Sequence, residues 1–165
     1  RKRRFSTLAL NTKLVLVFTM GLILVGAGVF FIGEYRNSQT IGGISFTDQI
    51  VNSVFHSISR TAGFSTVDFN QTGDQTNLVY TVLMFIGGAS ASVAGGIKVN
   101  TFALILIATA ASLRGSTGAS MFGRKVPDIQ IQWAVLLSII MFFGAFLLCT
   151  LLVAFEQDYL FLDLL

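Results

Sequence analysis

Charge is scarce in this chain of 165 residues: Asp, Glu, Lys and Arg together make up only 12% of it. Soluble chains carry roughly 25%, because a surface must be solvated. With 53% hydrophobic residues, the composition argues against a water-soluble domain. Cysteine is nearly absent as well. The single Cys149 excludes an intrachain disulfide, and its place in an apolar run suits a small buried residue. The one histidine, His56, has no cysteine, carboxylate or second histidine at ligand spacing, so it reads as a packed or hydrogen-bonded core residue. No nucleophile–base pair or paired carboxylates stand out. The run 87–96 lacks the Gly-Lys-Ser/Thr ending of a nucleotide loop, since Lys98 is followed by Val99 and Asn100. Neither an enzyme nor a bound cofactor is expected.

What the chain does have is long apolar runs, at residues 14–33, 78–113 and 131–155. Each is near or above the roughly 20 residues that a helix needs to cross a bilayer. The first is too long for a signal peptide, no small-residue cleavage site follows it, and further spans come after. Because the sequence begins at Arg1 and ends Leu-Phe-Leu-Asp-Leu-Leu, it is expected to be an excerpt of a longer polypeptide. Arg1, Lys2, Arg3, Arg4 and Lys13 precede the first run, and Arg114, Arg124 and Lys125 follow the second. Glu156, Asp158 and Asp163 follow the third without a base. The positive-inside rule then makes the N-terminus and the 113–130 loop cytoplasmic, with 34–77 and the C-terminus outside. The basic start reports orientation in a multi-pass cell-membrane protein rather than nucleic-acid binding, and no nucleic-acid partner is expected.

Between the first two runs, Ser45-Phe46-Thr47-Asp48 has the hydroxyls and first-turn carboxylate of a helix start. Phe46, Ile50, Val54 and Ile58, flanked by Val51 and Phe55, then form one apolar face at helical period. A helix over 47–59 is about 18–20 Å long, too short to span, and fits a re-entrant half-helix. The second run is too long for one straight span and contains Gly87-Gly88-Ala89-Ser90-Ala91-Ser92-Val93-Ala94-Gly95-Gly96, which predicts a break. Irregular backbone survives at membrane depth only when buried in protein or lining a wet cavity. The expected fold is an all-α integral membrane segment: span 14–33, pore helix 47–59, turn 60–66, broken span 78–113. A cytoplasmic loop follows at 114–130, with the only proline, Pro127, and then a further span and outer loop within 131–165. The glycines of the first span, Gly21, Gly26, Gly28 and Gly33, suit close helix packing.

Cations cross a membrane where oxygen atoms replace their water, and backbone carbonyls do this without a buried charge. Thr61-Ala62-Gly63-Phe64, after a half-helix whose C-terminal end carries partial negative charge, meets that need. An ordinary outer loop is the alternative. Arg60 reads either as a buttress, bonding the carbonyls of this turn or pairing with Asp68, or as an interfacial charge that snorkels outward. Lys98 reads as an anchor or sensor of the glycine-rich loop, or again as a snorkelling charge.

Ser59-Arg60-Thr61-Ala62-Gly63-Phe64-Ser65-Thr66-Val67-Asp68 resembles the third-repeat pore loop of the Trk/Ktr/HKT potassium transporters. The run Gly87-Gly88-Ala89-Ser90, Gly95-Gly96-Ile97-Lys98, Val99-Asn100-Thr101-Phe102 is similar to that repeat's glycine-rich intramembrane loop. Arg114-Gly115 and Phe122-Gly123-Arg124-Lys125-Val126-Pro127 look most like Ktr-type membrane subunits. The resemblance implies a four-repeat, pseudo-tetrameric cation pore, of which this chain holds the third repeat and the first helix of the fourth. It implies a potassium ion held at the Gly63 region by the backbone of Thr61, Ala62, Gly63 and Phe64, and a gate at 87–97. Potassium is then the substrate, with sodium a candidate coupling ion and a sodium-selective relative the alternative. The implied partners are the remaining repeats, a second copy in a membrane homodimer, and a KtrA/TrkA-like cytoplasmic ring of nucleotide-binding regulatory subunits. Ala91, Val93 and Ala94 depart from the glycine- or threonine-rich pattern of the family's loop, which points to a stiffer, less polar gate. A structural membrane subunit, with glycines serving helix packing alone, is the competing class.

Overall fold

The structure, a computed structural model, describes residues 9–90, 92, 94–115, 118–121 and 124–155. The basic cluster of Arg1, Lys2, Arg3 and Arg4, the loop residues Ala91 and Val93, and Glu156, Asp158 and Asp163 lie outside them. The chain divides into two compact units, Arg1–Ala103 and Leu104–Leu165.

In the first unit the apolar run folds as helix α1, Leu10–Glu34, 25 residues long and so about 37 Å from end to end. It starts ahead of the apolar run, on Asn11, Thr12 and Lys13, and the Lys13 N–H donates to the Ala9 carbonyl at 3.1 Å. Helix α2, Phe46–Ser59, is capped by Ser45, whose hydroxyl accepts from the Asp48 N–H and donates to the Asp48 carboxylate. Its 14 residues reach about 21 Å. A 3₁₀ turn, Phe69–Gln71, leads into α3, Asp74–Phe85. The polypeptide then leaves helical geometry, and α4 runs from Val99 to Leu113. With 12 and 15 residues, α3 and α4 are about 18 and 22 Å long, each short of a roughly 30 Å hydrocarbon core.

α2 is amphipathic in the sense opposite to a helix in water. Its apolar face (Phe46, Ile50, Val51, Val54, Phe55 and Ile58) is exposed, whereas Ser53, His56 and Ser57 are at most 1% exposed. The polar side turns inward because its groups are satisfied there. The Ser57 hydroxyl donates to the Ile23 carbonyl of α1 at 2.7 Å, and the Ser53 hydroxyl to the Gln49 carbonyl at 2.7 Å. In hydrocarbon it is the polar face that must be hidden, since lipid satisfies no donor or acceptor. Gly26 allows the approach of α2, because a Cβ there would overlap the Ser57 hydroxyl; Gly33 does the same for Thr76 of α3. Gly21 and Gly28 face open space, so the expected glycine packing holds at two positions of the four within this chain. Two apolar clusters complete the unit: Phe30, Ile41 and Tyr80, and Leu22, Leu83, Ile86 and Val99.

The second unit contains the rest of α4, a short antiparallel ribbon and α5, Asp128–Phe155. The ribbon pairs β1, Ser120–Met121, with β2, Arg124–Lys125, in the register Ser120↔Lys125 and Met121↔Arg124. This two-residue ribbon lies within the stretch 114–130, and the named elements are otherwise helical, as expected of an all-α segment. The Val126 N–H extends the pairing to the Ala119 carbonyl at 2.9 Å before α5 begins. α1 and the Asp128–Leu152 part of α5 are long and apolar enough to cross a membrane.

Candidate functional site

α2 ends at Ser59, and the next residues turn sharply: the Ala62 N–H donates to the Ser59 carbonyl at 2.8 Å, and Gly63 takes φ +76°. That left-handed conformation is cheap only for glycine. The exit from the turn is held by side chains of α2. The Ser59 hydroxyl donates to the Phe64 carbonyl at 2.8 Å. Thr66 lies against both His56 and Asn52, at 2.8 and 2.9 Å. Among the described residues, no donor is bonded to the carbonyls of Thr61, Ala62 or Gly63. The Phe64 carbonyl, by contrast, is drawn back to Ser59, while its ring is exposed.

Arg60 is buried, and its guanidinium does not take the expected partners. Nη1 donates to the Ser57 carbonyl at 3.1 Å, Nε to Leu83 at 3.2 Å and Nη2 to Ile86 at 3.4 Å. It is a buttress, but one that joins the C-terminal ends of α2 and α3 rather than bonding the turn's own carbonyls or Asp68. The physical reason is charge. Each helix end carries about half a negative charge, and a desolvated guanidinium needs acceptors for its fork of N–H groups. Asp68 is exposed and caps the 3₁₀ turn, accepting from the Asn70 N–H at 3.0 Å.

The glycine-rich loop is closed at its neck by backbone pairing. Ile86 and Ile97 form a parallel bridge, in which the Gly87 N–H donates to Ile97 and the Ile97 N–H to Phe85, both at 2.8 Å. The Val99 N–H donates to Gly88 at 3.0 Å. Gly96 is at φ +74°, and a Cβ there would collide with the Phe85 carbonyl, so the neck requires glycine at that position. Lys98 serves as the loop's anchor: its ammonium donates to the Ala94 carbonyl at 2.7 Å and to Ser92 at 3.0 Å. Asn100 pins the other limb. Its amide donates to the Ser90 hydroxyl at 2.6 Å and to Asn11 Oδ1 of α1 at 3.0 Å, and its oxygen accepts from the Ser90 N–H at 3.2 Å. Ala89 and Gly95 lie between these ties, and the hydroxyl of Ser92 is next to Gly88.

Sequence reasoning missed Glu34. It is fully buried, and its carboxylate accepts from the Thr76 hydroxyl (2.7 Å), the Asn37 amide (2.8 Å), the Gly73 N–H (2.9 Å) and the Thr40 hydroxyl (2.9 Å). It thus ties the end of α1 to the N-terminus of α3, where a negative charge is favoured. Glu34→Ala is expected to destabilise the full-length protein by about 3 kcal/mol, since it orphans several buried donors. The check is the thermal unfolding midpoint in detergent, where Glu34→Gln should lie between the alanine variant and the parent.

A long apolar helix, a short helix with its polar face turned inward and two helices joined by a glycine-rich loop suit a membrane segment better than a soluble module. The chain belongs to the TrkH family, described as cation transport protein, which it matches over residues 1–165. It is 38% identical over 148 residues to Ktr system potassium uptake protein B of Bacillus subtilis (strain 168), covering 89% of this chain and 33% of that protein. It is 35% identical over 147 residues to potassium/sodium uptake protein NtpJ of Enterococcus hirae, covering 88% and 32%. Against Ktr system potassium uptake protein B of Vibrio alginolyticus the identity is 38% over 138 residues, covering 82% and 30%. The chain spans about a third of the length of these curated relatives.

Proposed function

We propose that this chain is one quarter of a potassium-conducting pore, plus the first helix of the next quarter. The carbonyls of Thr61, Ala62 and Gly63 contribute to a selectivity filter, and residues 87–97 form a gate beneath it. The observation that carries the reading is the clamped turn: its flanks are bonded to α2, while its three central carbonyls accept no bond among the described residues. Backbone oxygens held in place and left available are what a dehydrating cation needs. α2 acts as the re-entrant pore helix, α3 and α4 as the two halves of a broken span, and residues 114–130 as a cytoplasmic loop. α1 enters from the cytoplasmic side. Potassium is the substrate in keeping with the names of the relatives, and one of them, a potassium/sodium uptake protein, keeps sodium as a candidate coupling ion.

The pore closes only with the remaining repeats, and a membrane homodimer on a nucleotide-binding regulatory ring completes the proposed assembly. Helix packing alone accounts for Gly26 and Gly33, which pack against side chains, but not for Gly63, whose Cβ position meets nothing within 4 Å. The test is uptake in a potassium-requiring bacterial strain expressing the full-length protein. Growth at low potassium and uptake of a rubidium tracer are expected. Loss of both despite normal membrane insertion overturns the reading.

A further inference from the structure

The hydrogen bonds behind the turn fix the state of His56. The Asn52 side chain lies between the Asp48 carbonyl, 2.9 Å away, and the Thr66 hydroxyl, also 2.9 Å away. A backbone carbonyl only accepts, so the amide nitrogen of Asn52 faces Asp48 and its oxygen faces Thr66. Thr66 must then spend its one hydroxyl proton on Asn52 Oδ1. His56 Nε2, 2.8 Å from the same hydroxyl, must therefore be a donor. The other ring nitrogen, Nδ1, is buried with no hydrogen-bond partner among the described residues. A proton there would create a desolvated cation without an acceptor, four residues before the buried Arg60. The ring is also fixed in orientation. It stacks on Phe30 at 4.5 Å and 11°, with Phe55 and Phe69 set edge-on at 5.7 and 5.9 Å.

We propose that His56 is a positioning residue for the turn at Gly63. As the neutral Nε2–H tautomer, it donates to Thr66 and so sets where the backbone leaves the turn. The relay runs in one direction, from His56 to Thr66 to Asn52 to the Asp48 carbonyl, and ties that exit to the capped start of α2. An aromatic slot built from α1, α2 and the 3₁₀ turn holds the donor still. The inference rests on reading the carbonyls of Thr61, Ala62 and Gly63 as cation ligands, since a fixed exit matters only if those oxygens need fixed positions.

The test measures rubidium uptake against rising sodium by the full-length protein in the potassium-requiring strain, with membrane abundance and the thermal midpoint read separately. Thr66→Val removes the acceptor at an exposed site and spares the fold; His56→Phe keeps a stacked ring and removes the donor. Each breaks the His56–Thr66 hydrogen bond and is expected to reduce the preference for potassium over sodium about five-fold, the size of that bond. The double variant should lose no more than either single one. Thr66→Ser and His56→Gln, whose amide nitrogen can stand near the place of Nε2, should recover most of the preference. A merely structural role would lower abundance or the midpoint and leave the preference unchanged. Unchanged preference in Thr66→Val and His56→Phe, or additive losses in the double variant, overturns the proposal. Gly63→Ser in the same assay separates the two readings: if it shifts preference and the others do not, His56 alone is excluded. If it too is silent, the pore reading falls and this inference with it.

Discussion

Gly63→Ser in the full-length protein is expected to cut the preference for potassium over sodium by about ten-fold. Gly63 sits at φ +76°, where an L-residue costs about 1–2 kcal/mol. Crowding is not the source of the effect within this chain, because a Cβ at Gly63 meets no atom within 4 Å. The strain has one easy outlet. Ser59 and Thr66 hold the flanks of the turn, so relaxation rotates the peptide groups between them and moves the very carbonyls proposed to face the ion. Gly63→Asn discriminates the two causes. Asparagine is larger than serine but tolerates left-handed backbone, so it should keep more preference than Gly63→Val. The check is tracer uptake under sodium competition, normalised to protein in the membrane. Preference that falls with side-chain size alone assigns the effect to crowding by neighbouring segments. Preference unchanged in all three variants removes Gly63 from the ion pathway.

Deleting residues 89–94 is expected to raise the uptake rate about ten-fold or more. The closed arrangement of the loop is held by the Ser90–Asn100 bonds and by the two carbonyl contacts of Lys98. Such bonds are each worth about 1 kcal/mol net, somewhat more at a charged donor, and about 1.4 kcal/mol is a factor of ten. The deletion removes the Ser90, Ser92 and Ala94 partners but keeps the residues of the neck, including those of the Val99-to-Gly88 bond. Rejoining needs little movement, because the Gly95 carbonyl already lies against the backbone at Gly87. Asn100→Ala should show a smaller rise, since it frees one limb and leaves Lys98 bonded. An unchanged rate rejects the loop as a gate. A fall rejects it as well, and makes the loop part of the pore's assembly.

The helices were legible where local chemistry sets them. Ser45 and Asp48 mark the start of α2, and the clustered glycines mark where α3 ends and helical geometry breaks off. The direction of α2 was not legible. Its period reveals a face, but Ser57 and His56 are buried only because α1 supplies a carbonyl and an aromatic slot more than 20 residues away. Glu34 escaped for the same reason, since its partners Gly73 and Thr76 lie 39 and 42 residues further on. The glycine of the turn could be picked out from the sequence. The partners of Arg60 could not, because backbone carbonyls belong to every residue and leave no mark on a sequence. The ribbon at Ser120–Met121 and Arg124–Lys125 is too short to carry a strand period.

Arg60 is the residue immediately before the turn, and Ile86 is one side of the bridge that closes the loop's neck. The guanidinium is therefore a strut between the two places where flow is proposed to be controlled. A displacement of the neck loads the strut, and the load arrives one residue from Thr61. Loop position and the geometry of the turn are then not independent settings. A variant that loosens the loop should also blur ion preference slightly, and a tightly held ion should resist movement of the loop.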